Sequence, residues 1–107
     1  MSEVLVVLVT VPSLADGERI AEALVGESLA ACVNVLGPIR SIYRWQGEVC
    51  RDDEHLLLIK TTPARYAELE VRVLALHPYE TPEVIALPVE LGAAAYLGWV
   101  KGVTSDR

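Results

Sequence analysis

The fold is decided by a stretch at the centre of the chain, Ser41-Ile-Tyr-Arg-Trp-Gln-Gly-Glu-Val-Cys-Arg-Asp-Asp53. Its dipeptide Gln46-Gly47 is a two-residue connection suited to a tight β-hairpin. We therefore predict two antiparallel strands over 31–45 and 48–62. Both are far longer than the usual strand of about five or six residues.

The turn also sets the register of these strands. It places Tyr43 opposite Cys50 and Arg40 opposite Asp53, and the second pair brings opposite charges together. Gly37-Pro38 interrupts the first strand and predicts a β-bulge or bend there, because proline cannot donate to a central hydrogen-bond ladder.

The segments around the hairpin alternate between strand and helix patterns. Val4–Val11 is a continuous apolar run rich in β-branched residues, typical of a strand covered on both faces. Ser13 is suited to cap the helix that follows. In chain order we predict a strand over 4–11, a helix over 13–29, and strands over 31–45 and 48–62. A second helix begins at Thr62-Pro63 and ends at His77-Pro78. A strand follows over 84–89, with Pro88 at a sheet edge or strand end, and a last helix opens at Gly92. This order predicts an α+β, ferredoxin-like β-α-β-β-α-β sandwich with a long central hairpin and a short C-terminal helix.

Length, composition and charge exclude several classes of protein. The 107 residues are 52% hydrophobic and 22% charged, which predicts one packed domain over 1–107 rather than a disordered chain. The net charge of −6 disfavours nucleic acid as a partner, because phosphate binding needs a basic face. The apolar run over 4–11 is too short for a membrane span and has no basic leader. Two cysteines make no secreted disulfide framework, so we expect a cytoplasmic protein without a membrane partner.

The tip of the predicted hairpin has no third strand from this chain to cover it. It carries the apolar side chains Ile42, Tyr43, Trp45 and Val49. Exposed strand edges with apolar side chains pair with other chains unless they are blocked. The hairpin therefore predicts a closed homo-oligomer in which neighbouring subunits cover the tips.

Six short stretches occur in one order over nearly the whole chain. They are Ala30-Ala-Cys-Val-Asn34, Ser41-Ile-Tyr-Arg-Trp-Gln-Gly47, Leu57-Leu-Ile-Lys-Thr61, His77-Pro-Tyr-Glu-Thr-Pro-Glu83, Ile85-Ala-Leu-Pro88 and Tyr96-Leu-Gly-Trp99. Together they resemble the CutA family, the divalent-cation tolerance proteins. The resemblance implies a ferredoxin-like subunit in a tight homotrimer, with long hairpins running over the neighbouring subunits, and a link to copper and other divalent cations.

The resemblance also implies metal ligands. Metal binding in the family has been associated with the equivalents of His77 and Glu83, with a thiol near the end of the first strand and sometimes with a second histidine. Here Val9 occupies the thiol position and Leu76 precedes His77, so we expect weak to moderate binding of a divalent metal ion, copper foremost. Imidazole and carboxylate both suit copper and zinc, and water or a neighbouring subunit would complete the shell. The alternative is that His77 only satisfies the last carbonyls of its helix.

The cysteines and the acidic run suggest structural roles. The register separates Cys32 from Cys50 by about 36 Å, at ~3.3 Å per residue, too far to share a metal or form a disulfide. We expect Cys32 to be a small core residue and Cys50 to be accessible near the tip. In Asp52-Asp-Glu-His55 we expect a solvated surface with Arg40 as a partner.

The leading hypothesis is a cytoplasmic, homotrimeric CutA-like protein that takes part in metal tolerance. Its partners would be copies of itself and divalent cations. An enzyme is not expected, because the chain has no nucleophile elbow, phosphate loop, dinucleotide fingerprint or Cys-x-x-Cys. The alternative, by analogy of fold with the PII regulators, is a signalling trimer that binds a small anion or a protein at clefts between subunits. Arg40, Arg44, Lys60 and Tyr79 would then matter more than His77.

Overall fold

Seven helices and strands follow one another in the computed structural model, which describes residues 3–105. They are β1 (Leu5–Val11), α1 (Leu14–Gly26), β2 (Cys32–Trp45), β3 (Glu48–Thr61), α2 (Pro63–Leu76), β4 (Val84–Pro88) and α3 (Ala94–Thr104). The predicted α+β order is confirmed. Helix α1 ends before position 29 because Ser28 turns the chain with a φ of 61°. Within residues 3–105, no helix has the length and hydrophobicity needed to cross a membrane.

The strands form one antiparallel sheet in the order β2-β3-β1-β4. Strand β4 lies at one edge, which explains why it tolerates Pro88. Strand β1 pairs only with residues 55–61 of β3, so the outer part of the β2–β3 hairpin extends beyond it. In the described chain the tip of the hairpin therefore has no third strand, as predicted.

The hairpin turn follows the predicted geometry. Gln46 and Gly47 have φ values of 50° and 82°, and two successive positive φ angles are those of a type I′ turn. The register places Tyr43 opposite Cys50, as the sequence predicts. The predicted charge pair also forms, with Arg40 Nε 2.8 Å from Asp53 Oδ1.

A β-bulge interrupts the hairpin at the predicted place. The register shifts between Leu36 and Ile39, where β2 carries one residue more than β3. Gly37 lies there with a φ of 146°, a conformation that essentially only glycine adopts. A Cβ atom at this position would lie 2.8 Å from His55 Cδ2, so the strands can approach here only because the side chain is absent.

The two faces of the sheet differ in how they are covered. Helices α1 and α2 pack on one face, and the core between them includes Val7, Val9, Val11, Ile20, Leu24, Leu57, Ile59, Leu69 and Val73. The expectation that the first strand is covered on both faces holds fully only on the side of α1 and α2; on the other side Val6, Leu8 and Thr10 are half-buried in the single chain. We call the opposite side the open face; its apolar residues include Leu8, Leu56, Leu58, Ile85 and Leu87.

Helix α1 begins at a capping interaction. Ser13 Oγ accepts a hydrogen bond from the Asp16 backbone N–H at 3.1 Å and donates to the Asp16 carboxylate at 2.9 Å. We expect Ser13→Ala to lower the free energy of unfolding by about 1 kcal/mol, because an N-terminal N–H of the helix loses its acceptor. Urea denaturation measures the change. The control is Ser105→Ala, at the exposed end of α3, where the expected change is within about 0.5 kcal/mol. Equal losses in both variants would contradict the capping role.

Candidate functional site

His77 lies directly after α2 and is held by hydrogen bonds on both ring nitrogens. Its Nε2 is 2.7 Å from the Thr10 carbonyl oxygen, and its Nδ1 is 3.1 Å from the Tyr79 backbone nitrogen. Because a carbonyl only accepts and an N–H only donates, both bonds form together only in the neutral tautomer protonated at Nε2. The residue is 8% exposed, and its ring centroid is 4.8 Å from that of Tyr79. The imidazole therefore joins β1 to the loop after α2.

The hydrogen bonds of the His77 ring differ from the alternative raised by the sequence, in which the ring only satisfies the last carbonyls of its helix. Its backbone N–H continues the helix pattern by donating to the Val73 carbonyl, but its ring bonds to β1 instead of the last carbonyls of α2. A metal ion at Nδ1 would have to displace the N–H of Tyr79. Binding through this histidine therefore competes with an existing hydrogen bond.

Glu83 is exposed and directly precedes β4. It lines a groove that His77 does not line. Among residues 3–105, no group of three or more histidine, cysteine, aspartate or glutamate side chains is arranged to hold a metal ion. Any metal site built on His77 and Glu83 thus needs water or a second chain for its remaining ligands.

The groove that includes Glu83 lies between the β2–β3 hairpin and the loop over 78–83, and its volume is about 660 Å³. We call it the hairpin groove. Its lining comes from β1, the outer hairpin and the loop, and consists of Thr10, Ser41, Ile42, Tyr43, Trp45, Glu54, Pro78, Tyr79, Glu80, Thr81 and Glu83. The groove thus combines aromatic rings with carboxylates, and no lysine, arginine or histidine is among its lining residues.

Glu54 is the most deeply buried carboxylate of the groove. The residue is 6% exposed, and its Oε2 accepts a hydrogen bond of 2.9 Å from the Tyr79 hydroxyl. Burial, followed by this hydrogen bond, raises the pKa of Tyr79 well above its ordinary value of 10. A phenol with its ordinary pKa is already protonated at neutral pH, so the shift extends to higher pH the range over which Tyr79 donates to Glu54.

A second phenol behaves in the same way at the outer end of the groove. The Tyr43 hydroxyl donates to the Asp52 carboxylate. This hydrogen bond is the main cause that raises the pKa of Tyr43 to about 12, with smaller contributions from burial and nearby negative charges. Both tyrosines thus present neutral aromatic rings beside acidic groups.

Sequence reasoning missed the position of Glu54. The expectation of a solvated surface over 52–55 is correct for Asp53, whose side chain is 67% exposed, but wrong for Glu54. Strand alternation places these two side chains on opposite faces of the ribbon. No local sequence signal marks this position, because the residue that covers Glu54 is Tyr79 in the loop after α2.

The two cysteines do not contribute to the groove. Cys32 pairs with Lys60 and Cys50 with Tyr43, so they lie at opposite ends of the ladder, and their predicted separation is confirmed. The expectation that Cys32 is a core residue is wrong, because it is half-buried, as is Cys50. Cys32 lies beside Tyr96, and the pKa of the Tyr96 hydroxyl is raised by burial and by the proximity of Cys32.

Comparison with known proteins identifies the family. The family model for the CutA1 divalent ion tolerance protein matches residues 5–103. The divalent-cation tolerance protein CutA of Thermus thermophilus is 55% identical over 96 residues, which cover 90% of this chain and 93% of that protein. The chloroplastic CutA protein of Arabidopsis thaliana is 47% identical over 95% of this chain, and the chain spans 56% of its length.

A solved structure agrees in fold with the chain. The structure of a divalent cation tolerance protein from Thermus thermophilus superimposes with a TM-score of 0.93 at 53% identity, covering 95% of this chain and 99% of that one. Both the match to the family and the fold extend over nearly all described residues. The chain therefore belongs to the CutA1 divalent ion tolerance protein family.

Proposed function

We propose that this chain is a cytoplasmic, homotrimeric divalent-cation tolerance protein without enzymatic activity. It binds divalent cations, copper foremost, with weak to moderate affinity at His77 and Glu83. Family membership and the net charge of −6 support a role with cations. The observation that carries the proposed assembly is the apolar open face, which no element of the described chain covers completely.

The open face supports assembly because its apolar side chains remain in contact with water in the single chain. Ile85 and Leu87 of the edge strand β4 are 49% and 51% exposed. At the tip of the hairpin, Ile42 is 63% and Trp45 44% exposed. These surfaces belong to the two opposite edges of the sheet, so one copy can place its hairpin against β4 of the next. Contacts between two different surfaces close into a ring when the rotation fits, and three copies make the proposed trimer.

The residues present favour a weak, exchangeable metal site. His77 offers a lone pair at Nδ1 only when the bond from Tyr79 N–H opens, and Glu83 supplies an exposed carboxylate. One imidazole and one carboxylate leave at least two positions of a tetrahedral shell for water or a neighbouring subunit. This small ligand set is in line with tolerance of a metal ion rather than with its permanent retention.

Isothermal titration with Cu²⁺ and Zn²⁺ tests the two ligands. We expect Glu83→Gln and His77→Ala each to weaken binding about tenfold or more, because each removes one of only two protein ligands. Glu83→Gln is the cleaner variant, since Glu83 is exposed and its replacement leaves the buried contacts of His77 intact. The control is Glu90→Gln, an exposed carboxylate that does not line the hairpin groove. Equal affinities in wild type and both ligand variants would refute this site.

The alternative of an anion-binding signalling trimer gains no support from the groove. Arg40 pairs with Asp53, Lys60 donates to Asn34, and neither lines the hairpin groove. Of the four residues named for that alternative, only Tyr79 does. The acidic lining favours a positively charged ligand instead.

A further inference from the structure

The outer part of the hairpin, 39–45 with 48–54, carries opposite charges on its two faces. Directly opposed residues share a face, so the register of β2 and β3 sorts these side chains. One face carries the carboxylates of Glu48, Asp52 and Glu54, and we call it the acid face. The opposite face carries the guanidinium groups of Arg44 and Arg51, and we call it the arginine face.

The arginine face has positive charge that its own chain does not compensate. Arg44 and Arg51 are both exposed, and none of the ion pairs found among residues 3–105 includes either of them. Arg40 lies on the same face but differs, because it pairs with Asp53 of its own chain. The two arginines nearer the tip are therefore available to a carboxylate of another copy.

Glu54 on the acid face is the complementary feature. The residue is 6% exposed, and its described hydrogen-bond partner is the neutral Tyr79 hydroxyl. Within the described part of the chain, no ion pair includes Glu54. Burial of a carboxylate is unfavourable unless an opposite charge compensates it. Because Glu54 lines the hairpin groove, a cation supplied by a second chain reaches it there.

The proposed assembly brings the hairpin of a second copy to this groove. One wall of the groove is the loop over 78–83, which directly precedes β4, the strand against which the neighbouring hairpin is placed. An incoming acid face would set like charges against Glu54, whereas an incoming arginine face brings the opposite charge. Tyr43 and Trp45 of the receiving groove are 41% and 44% exposed, and aromatic faces attract guanidinium groups. Charge and aromatic character thus both select the arginine face.

We propose that the hairpin groove of each copy receives the arginine face of a neighbouring hairpin, so that Arg44 and Arg51 of one copy compensate Glu54 of the next. This contact rests on the proposed homotrimer and adds to it a residue pairing between copies. The two contacting surfaces are different, so each copy gives its arginine face to one neighbour and its groove to the other. A closed ring is built from contacts of this kind.

A double-mutant cycle on the full chain tests the pairing. Light scattering follows the mass through a dilution series, at one urea concentration that leaves the subunit folded. Glu54→Gln keeps a hydrogen-bond acceptor but loses the charge, and we expect it to raise the concentration of half-dissociation at least tenfold, as does Arg44→Gln/Arg51→Gln. The combined variant is expected to add less than threefold to the larger of these effects, because both changes remove one contact. The matched control is Arg40→Gln/Asp53→Asn, which removes an ion pair within one chain, with a change below twofold expected.

Two results would overturn the contact while leaving the homotrimer in place. One is a trimer that dissociates no more easily in Glu54→Gln or in Arg44→Gln/Arg51→Gln than in wild type. The other is a combined variant in which the two effects multiply fully. A wild-type monomer would refute the assembly itself and this contact with it.

Two further measurements complete the test. If Glu54→Gln does not fold, Arg44→Glu/Arg51→Glu at the exposed tip replaces it. We expect this variant to dissociate more easily than the glutamine variant, because Glu54 would face like charges, and equal losses would overturn the contact. Cu²⁺ titration of Glu54→Gln is expected to match wild type. A loss of Cu²⁺ affinity with an unchanged trimer would assign the carboxylate to a metal ion and overturn the pairing.

Discussion

Simultaneous replacement of Ile85 and Leu87 by glutamate is expected to yield a monomer of 11.7 kDa in place of a species three times as heavy. Both side chains lie on the open face of β4 and are about half exposed in the single chain, so the fold of one subunit tolerates polar groups there. In the assembly each glutamate would be taken out of water without a partner, at a cost of several kcal/mol per charge. Size-exclusion chromatography with light scattering measures the mass.

The matched control for this experiment is Val71→Glu. Val71 is the most exposed valine of α2, at 68%, and α2 packs on the helix-covered side of the sheet. This variant is expected to keep the mass of wild type. A compact wild-type monomer at dilute concentration, or a double variant that retains the trimer, would contradict the proposed use of the open face.

Leu57→Ala is expected to lower the free energy of unfolding of the subunit by about 2–5 kcal/mol, the usual cost of a cavity in a packed core. Leu57 is fully buried in β3 and belongs to the core cluster formed with α1 and α2. It also lies close to Gly17: a Cβ atom at that glycine would be 3.3 Å from Leu57 Cδ2. The helix and strand are thus in close contact, which limits how far the cavity can collapse. Denaturant unfolding at fixed protein concentration measures the effect.

The comparison variant is Leu74→Ala, on the exposed side of α2. Leu74 is 47% exposed and outside the core cluster, so a loss below about 1 kcal/mol is expected. Similar losses for the two leucines would show that burial in the single chain does not determine the contribution of these side chains. Because assembly raises apparent stability, both variants are compared at one concentration and after their masses have been checked.

The hairpin was predictable because its determinants are local. Gln46-Gly47 specifies a type I′ turn by itself, and strand periodicity then fixes pairs such as Tyr43 with Cys50 over the whole outer ribbon. Pro63 and Pro88 mark a helix start and an edge strand for equally local reasons. These features need no knowledge of the tertiary structure.

The site was less predictable because its contacts join distant segments. The ring of His77 bonds to Thr10, which is 67 residues away in sequence, and the hydroxyl of Tyr79 bonds to Glu54, 25 residues away. Periodicity places each residue on a face of its own strand, but it does not say which loop will lie over that face. A carboxylate in an acidic run such as Glu54 therefore looks solvated until the loop after α2 is in place.

The β-bulge near Gly37 has a consequence for the aromatic wall of the groove. On the side of the bulge nearer the base of the hairpin, Leu36 pairs with Leu56. On the side nearer the tip, Ile39 pairs with Glu54. The extra residue reverses the odd-even alternation of β2, since directly opposed residues share a face. Without this reversal Tyr43 would point to the opposite surface of the ribbon, away from Glu54. Loss of the bulge at constant chain length would thus turn the outer side chains of β2 to the other surface of the ribbon, whereas deletion of the extra residue would keep Ile39 opposite Glu54.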